Sequence, residues 1–149
     1  MKILMVCLGN ICRSPLAEGI LKDKSKHLDI TVDSAGTAGY HIGSAPDFRS
    51  IEIAQAHGID ITQQRARQVN SKDFQKFDLI YAMDKQNYSN LISLASNEKE
   101  RNKVKMILNE VNNNKYESVP DPYYGIENGF KKVFSMLEDA CEKIILNIG

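Results

Sequence analysis

Cys7 and Arg13 have the residue types and the spacing for chemistry on a bound oxyanion. Five residues separate them and Ser14 follows directly, so the segment reads Cys-x5-Arg-Ser. A cysteine thiolate is a strong nucleophile, and a planar guanidinium can hold two oxygens of a phosphoryl group at once. With three cysteines and five arginines in the chain, a bare Cys-x5-Arg spacing arises by chance about one time in ten. Its surroundings therefore decide what it means.

The segment lies between a predicted strand and a predicted helix. Residues 3–6 form a continuous apolar run, which is typical of a strand buried on both faces, and helical spacing begins at Pro15. Backbone N–H groups of a loop that enters a helix suit a tetrahedral dianion, and Gly9 allows the loop to bend tightly. The predicted phosphate-binding loop comprises Leu8, Gly9, Asn10, Ile11, Cys12 and Ser14.

The side chain of Ser14 has two possible roles. The positive field of the loop and of Arg13 favours a thiolate at Cys7. The Ser14 hydroxyl can donate to that sulfur and stabilise it as the nucleophile and later as the leaving group. A role as the N-cap of the following helix is an equally good interpretation.

A carboxylic acid near the C-terminus can serve as the proton donor. Asp121 lies between two prolines, which restrict the backbone and can aim its carboxyl group. Tyr123 and Tyr124 follow and can form the walls of a cleft that holds a phenyl ring, giving phosphotyrosine access to a deep cysteine while phosphoserine stays too short. The alternatives are that Asp121 only initiates a turn and that the tyrosines only pack.

The elements that position these residues alternate between strand and helix. Further strands are predicted at residues 30–32, 78–83 and 104–108, and alternation of this kind favours a parallel α/β sheet. Ligands bind at the carboxyl ends of such strands, where Cys7 lies. An apolar stripe predicts a long last helix that packs across the sheet; its residues are Phe130, Val133, Phe134, Leu137, Cys141, Ile144, Ile145 and Ile148.

Composition limits the classes of function. The 149 residues, 42% of them hydrophobic, predict one domain over residues 1–149. A formal net charge of zero favours neither nucleic acid nor an anionic membrane surface. The sequence contains no signal-peptide core and no apolar run of about 20 residues, so we expect a cytoplasmic protein with reduced thiols. His27, His41 and His57 lack metal-like spacing, so no metal site is expected.

The two terminal motifs resemble those of the low-molecular-weight protein tyrosine phosphatases. The residues that carry the resemblance are 6–15, VCLGNICRSP, and 121–124, DPYY. Internal segments match in the same order, namely residues 33–37, 40–43, 57–59, 67–68 and 83–84. The resemblance covers essentially the whole chain, and the combination of motifs is highly specific.

This resemblance implies a fold, a mechanism and several roles. The fold is a single-domain three-layer α/β sandwich, with a four-stranded parallel sheet flanked by helices on both faces. The reaction hydrolyses phosphotyrosine and small aryl phosphates through a phosphocysteine on Cys7, with Asp121 first as acid and then as base, and without a cofactor. The remaining implied roles are Asn10 shaping the loop, Ser34 supporting it, Tyr40 facing Tyr123 across the cleft, and Cys12 forming a reversible disulfide with Cys7.

Two positions depart from the family pattern. Many members carry a histidine where this chain has Gln64 or Arg65, so we expect a different buried network behind the loop. Many bacterial members carry tryptophan where this chain has Tyr40, which bears on substrate preference. Arg65 and Arg67 themselves are interpreted as surface or structural residues.

Two other functions fit the same loop. An arsenate reductase could seat its oxyanion there, but it needs relayed thiols, and Cys141 lies on a core stripe. A non-catalytic module could bind phosphotyrosine without releasing phosphate. For the phosphatase, the expected partner is a phosphotyrosine-containing protein, such as a tyrosine autokinase if the source is bacterial, and the expected state is a monomer or a weak self-associate.

Overall fold

Four parallel strands form a sheet at the centre of the computed structural model, which describes residues 1–112, 117–124 and 129–148. The strands are Lys2–Cys7 (β1), Thr31–Gly36 (β2), Leu79–Ala82 (β3) and Val104–Met106 (β4). Their order across the sheet is β2-β1-β3-β4, and every neighbouring pair is parallel. The four-stranded parallel sheet expected from the sequence is confirmed.

Helices connect the strands and pack on both faces of the sheet, so the fold is a three-layer α/β sandwich. In the described part of the chain the α-helices are Arg13–Lys24 (α1), Phe48–Ala56 (α2), Asp73–Lys76 (α3), Lys85–Leu94 (α4), Glu98–Arg101 (α5), Asn109–Asn112 (α6) and Gly129–Ile148 (α7). Pro122–Tyr124 adds a turn of 3-10 helix.

The side chains of β1 alternate between two apolar cores. Ile3 and Met5 belong to a core that includes residues of α1, α2 and α7, whereas Leu4 and Val6 belong to a core that includes residues of α3 and α4. All four side chains are fully buried. This two-sided burial explains why the strand is apolar at every position rather than at alternate ones.

The second strand runs further than its apolar residues indicate. Sequence patterning predicts a strand at residues 30–32, but β2 covers Thr31–Gly36 and therefore includes Asp33 and Ser34. Ser34 is buried because its hydroxyl both accepts and donates hydrogen bonds inside the protein. A polar residue satisfied in this way does not show in a hydrophobic pattern.

The first helix begins before the residues that were expected to start it. α1 starts at Arg13 with Cys12 as its N-cap, and no side chain bonds to the free N–H groups there. The interpretation of Ser14 as the N-cap is therefore wrong. Its hydroxyl bonds to Asn10 and lies against the sulfur of Cys7 instead.

The last helix buries the predicted apolar stripe. Six of its eight predicted positions, from Phe130 to Ile144, are buried, and Ile145 and Ile148 pack at the edge of the same core. The thiol of Cys141 lies 3.8 Å from the carbonyl oxygen of Ala17 in α1, which confirms it as a buried core residue. Within the described residues, no helix is both long and apolar enough to cross a bilayer.

The carboxyl ends of the strands bring distant segments together. β1 ends at Cys7 and β2 at Gly36, and these two residues pair in register. The N–H of Val119 donates to the carbonyl of Met83 after β3 at 2.7 Å, which attaches the segment containing Asp121 to the same edge. A methyl group on Gly36 would lie 2.7 Å from the carbonyl oxygen of Leu8, so only glycine allows this close approach.

We expect Gly36→Ala to lower the free energy of unfolding by about 1–3 kcal/mol and to weaken the binding of inorganic phosphate, because the added methyl group displaces the loop at Leu8. Urea denaturation and phosphate titration measure the two effects. Gly129→Ala is the control, since its methyl group meets Pro122 at an ordinary 3.5 Å. Equal urea midpoints for both variants would contradict the steric argument.

Candidate active site

The loop between β1 and α1 bends over residues 8–12 and takes the left-handed conformation at Asn10. Asn10 has φ of 58°, the left-handed conformation, and is the only described residue other than glycine with positive φ. Gly9 lies in the bend as expected, but among the described glycines only Gly43 and Gly58 have positive φ. Gly9 instead leaves room for His41, whose Cδ2 would lie 3.0 Å from an added Cβ.

The carboxamide of Asn10 stabilises this conformation with three hydrogen bonds. Its Nδ2 donates to the hydroxyls of Ser14 at 2.8 Å and Ser34 at 3.0 Å. Its Oδ1 accepts from the backbone N–H of Arg67 at 3.0 Å. That N–H needs an acceptor, which fixes the orientation of the amide. The loop is therefore held in shape by the protein itself.

The nucleophile candidate lies directly against Ser14. Cys7 is 2% exposed, and its sulfur lies 3.1 Å from the Ser14 hydroxyl oxygen. A thiolate has no proton to give, so Ser14 is the donor whenever Cys7 is ionised. This geometry supports the first of the two roles considered for Ser14.

Arg13 is oriented by two hydrogen-bond acceptors and by a further ion-pair partner. Its Nη1 donates to Asp84 Oδ2 at 2.7 Å and to the carbonyl of Val119 at 3.0 Å, and its Nη2 lies 3.6 Å from Asp121 Oδ2. The Arg13 side chain is 3% exposed. Because Arg13 is buried and paired, its guanidinium is oriented before any ligand arrives.

Asp84 is a site residue whose role the sequence analysis did not predict, although residues 83–84 match a family segment. Its Oδ1 accepts from the N–H of Asn87 at 2.7 Å and caps α4, which leaves Oδ2 for Arg13. The sequence signal for the cap is an aspartate between a predicted strand and a helix. The pairing with Arg13, 71 positions away, has no local signal.

Asp121 lies in the same cleft as Cys7, with its side chain one-third exposed. Its Oδ1 accepts from the N–H of Tyr123 at 3.0 Å, which fixes the carboxyl group at the start of the 3-10 turn. The carboxyl group is therefore both oriented by its loop and open to a ligand, as a general acid requires.

The cleft around these residues has a volume of about 290 Å³. It brings together most of the predicted site, and its lining residues are Cys7, Leu8, Gly9, Ile11, Cys12, Arg13, Tyr40, His41, Asp121 and Tyr123. Asn10 and Ser14 lie behind the loop rather than on the cleft surface. Tyr40 is 76% exposed and Tyr123 is 39% exposed. The side chain of Tyr124, predicted as a cleft wall, lies outside the described residues.

Arg49 supports the wall of the cleft and was not found from the sequence. Its guanidinium lies 5.5 Å from the ring centre of Tyr123 and 4.6 Å from that of Phe130, close enough for cation–π attraction. Asp47 fixes it with two side-chain hydrogen bonds of 2.9 and 3.0 Å. The side-chain hydrogen bonds between the two residues lower the pKa of the Asp47 carboxyl group and raise the pKa of the Arg49 guanidinium.

The two other thiols differ chemically from a reactive cysteine. Burial, followed by the negative charge of Asp47, raises the pKa of Cys12 to about 12. Burial likewise raises the pKa of Cys141 to about 12. Both therefore stay protonated at neutral pH. All three cysteines are free thiols in this structure.

The described residues contain no group of three or more histidine, cysteine, aspartate or glutamate side chains placed to hold a metal ion. The histidine nearest the site is His41, whose ring meets Tyr40 edge to face at 6.5 Å. The ring of His57 stacks on the ring of Phe134, with 4.1 Å between the ring centres.

Comparison with known proteins gives a consistent result over the whole chain. The family model described as low molecular weight phosphotyrosine protein phosphatase matches residues 2–149. The low molecular weight protein-tyrosine-phosphatase YfkJ of Bacillus subtilis is 40% identical over 150 residues, covering 98% of this chain and 94% of that protein. The human low molecular weight phosphotyrosine protein phosphatase is 37% identical over 148 residues, covering 96% and 92%.

A solved structure agrees in fold as well. The protein tyrosine phosphatase from Entamoeba histolytica, crystallised with Hepes in its active site, superposes with a TM-score of 0.92 at 42% identity. The match covers 99% of this chain and 96% of that chain.

We expect Asp84→Asn to lower the turnover of an aryl phosphate by about ten- to a hundredfold. An amide can still cap α4 but carries no charge to orient Arg13. Steady-state kinetics measures the loss. Asn97→Ala is the matched control, because Asn97 caps α5 in the same way without touching Arg13. Normal turnover in Asp84→Asn would show that Arg13 needs no such partner.

We also expect iodoacetamide at about pH 7 to alkylate Cys7 and to spare Cys12 and Cys141, since a raised pKa leaves almost no thiolate on the latter two. Tandem mass spectrometry distinguishes Cys7 from Cys12 within one peptide. Labelling of Cys12 should appear only as the pH rises towards its pKa. Equal labelling of both residues at neutral pH would contradict the burial argument.

Proposed function

The chain belongs to the low molecular weight phosphotyrosine protein phosphatases, cysteine-based hydrolases, and we propose that Cys7, Arg13 and Asp121 carry its reaction. The observation that supports this assignment most strongly is their convergence in one cleft. A buried cysteine against a hydroxyl donor, a pre-aimed guanidinium and a partly exposed carboxyl group converge there. Each has the chemistry that its role needs.

In the first step, the Cys7 thiolate attacks the phosphorus of phosphotyrosine. A sulfur–phosphorus bond forms while the bond from phosphorus to the phenolic oxygen breaks. Asp121, protonated beforehand, gives its proton to that oxygen, so tyrosine leaves as the neutral phenol. The loop N–H groups and Arg13 hold the non-bridging oxygens as their charge shifts.

In the second step, water attacks the phosphocysteine. Asp121, now a carboxylate, takes a proton from this water, and the sulfur–phosphorus bond breaks. Cys7 leaves as a thiolate that accepts a hydrogen bond from Ser14, and inorganic phosphate is released. Neither of the two proposed steps uses a metal or a cofactor.

The cleft supports a preference for phosphotyrosine over phosphoserine. Cys7 lies at its buried base, and Tyr40 and Tyr123 stand at its exposed rim. A phenyl ring spans this depth and can pack against the aromatic walls, whereas a serine side chain is too short. We propose that the whole chain acts as one domain on phosphotyrosine-containing proteins, with a tyrosine autokinase as a candidate.

We further propose that, after a peroxide oxidises Cys7 to a sulfenic acid, the sulfur of Cys12 attacks the sulfur of Cys7 and water leaves, so that a protective disulfide forms slowly. The attacking species in such a step is a thiolate, and the raised pKa of Cys12 keeps its thiol protonated.

A thiolate nucleophile also needs a reducing compartment to remain active, which favours a cytoplasmic location.

We expect the protein to release phosphate from a phosphotyrosine peptide and not from the same peptide with phosphoserine, with chelator present. Cys7→Ser should abolish release, because a hydroxyl is not ionised here, and Asp121→Asn should lower it by about a hundred- to ten-thousandfold, since it removes the proton donor. A malachite-green phosphate assay measures each rate.

Substantial release by Cys7→Ser would refute the assignment of the nucleophile. A wild-type protein that bound the phosphotyrosine peptide but released no phosphate would instead be a binding module. Reduction of arsenate coupled to thiols would indicate a reductase.

A further inference from the structure

A buried carboxylate lies behind the phosphate loop, on the side away from the cleft. The side chain of Glu18, in α1, is 5% exposed. Its Oε1 accepts from the Ser34 hydroxyl at 2.6 Å, and its Oε2 accepts from the Lys22 ammonium at 2.5 Å. Lys22 lies one helical turn further on and its side chain is 54% exposed, so the buried charge is balanced from the surface.

A continuous chain of hydrogen bonds joins this carboxylate to the nucleophile. Because a carboxylate can only accept, Ser34 directs its proton at Glu18 and offers a lone pair to Asn10. The second N–H of Asn10 donates to Ser14, whose own proton is then free for the sulfur of Cys7. Each hydrogen bond between Glu18 and Cys7 therefore has a defined donor and a defined acceptor.

Lys22 is the residue that balances the negative charge of Glu18, as the other charged groups around Glu18 show. A cavity of about 650 Å³ adjoins Glu18; it is larger than the cleft and no cysteine lines it. Its other charged side chains are Asp23, Lys26, Asp33, Asp60 and Arg65.

These other charges are engaged elsewhere. Lys26 pairs with Asp23 at 2.9 Å, and the Arg65 guanidinium donates to backbone carbonyls. Among the residues that the structure describes, Lys22 is the cation within 4.0 Å of Glu18. Gln64, at or next to the position where many relatives have histidine, donates to the carbonyl of Pro15.

We propose that Lys22 is a positioning residue for the phosphatase reaction, acting through Glu18, Ser34, Asn10 and Ser14 on the thiolate of Cys7. The inference rests on the proposed role of Cys7. A hydrogen bond to a carboxylate is about twice as strong as one to a neutral group. Loss of the ammonium disfavours the buried carboxylate, weakens its bond from Ser34, and leaves Asn10 and Ser14 less firmly directed.

The test compares Lys22→Gln with Lys22→Arg and with Lys26→Gln. Lys26→Gln is the matched control, because Lys26 lies beside the same cavity just after the end of α1 and its ion pair is with Asp23 and not with Glu18. Two readouts are needed: kcat and KM for an aryl phosphate across about pH 5 to pH 8, and the rate at which iodoacetamide alkylates Cys7.

In Lys22→Gln we expect kcat to fall about three- to fivefold, with KM nearly unchanged. The alkylation of Cys7 should slow by a similar factor. Lys22→Arg should restore both values, and Lys26→Gln should match the wild type in both. The unfolding temperatures of all three variants should lie within a few degrees of that of the wild type.

Equal kcat and alkylation rates in Lys22→Gln and Lys26→Gln would overturn the proposal, as would a failure of Lys22→Arg to restore them. The alkylation readout does not depend on turnover. A wild type without phosphatase activity would therefore refute the proposed function, while the effect of Lys22 on the sulfur would still be measured.

Discussion

The carboxamide of Asn10 is the interaction on which the rest of the site depends. It joins α1 through Ser14, β2 through Ser34, and the backbone at Arg67, and it does so from a left-handed conformation that a side chain without such bonds would disfavour. Arg67 is itself fixed by ion pairs to Asp33 and Asp73. The anion-binding loop is thus built by the folded protein, which avoids the entropic cost of ordering it at each binding event.

On the cleft side of the loop, ion pairs fix the position of Arg13, just as hydrogen bonds fix Asn10 on the opposite side. Arg13 is held by Asp84 and approached by Asp121, so a buried cation has partners even in the empty cleft. The position of this cation is thus set by local pairing and not by the formal net charge of the chain, which is zero.

Local patterns predicted the parts of the molecule that are encoded locally. Residues 3–6, the stripe of α7 and the Cys7-to-Arg13 spacing all lie within one element or one loop, and each can be read from neighbouring residues. Asp84 and Glu18 each have a partner that only the tertiary fold brings near, Arg13 for the first and Ser34 for the second. The polar half of β2 was missed because Ser34 is satisfied internally. The left-handed conformation of Asn10 was missed because an asparagine held there by its own side-chain bonds has no simple pattern.

The tie between Arg13 and Val119 spans 106 positions and has a consequence for synthesis of the protein. A nascent chain exposes its N-terminal segments first, so the nucleophile and the loop emerge long before Asp121, and before α7 can cover the core that β1 and α1 share. Until residue 121 has been synthesised, a nascent chain therefore carries Cys7 and Arg13 without the carboxyl group proposed as the proton donor.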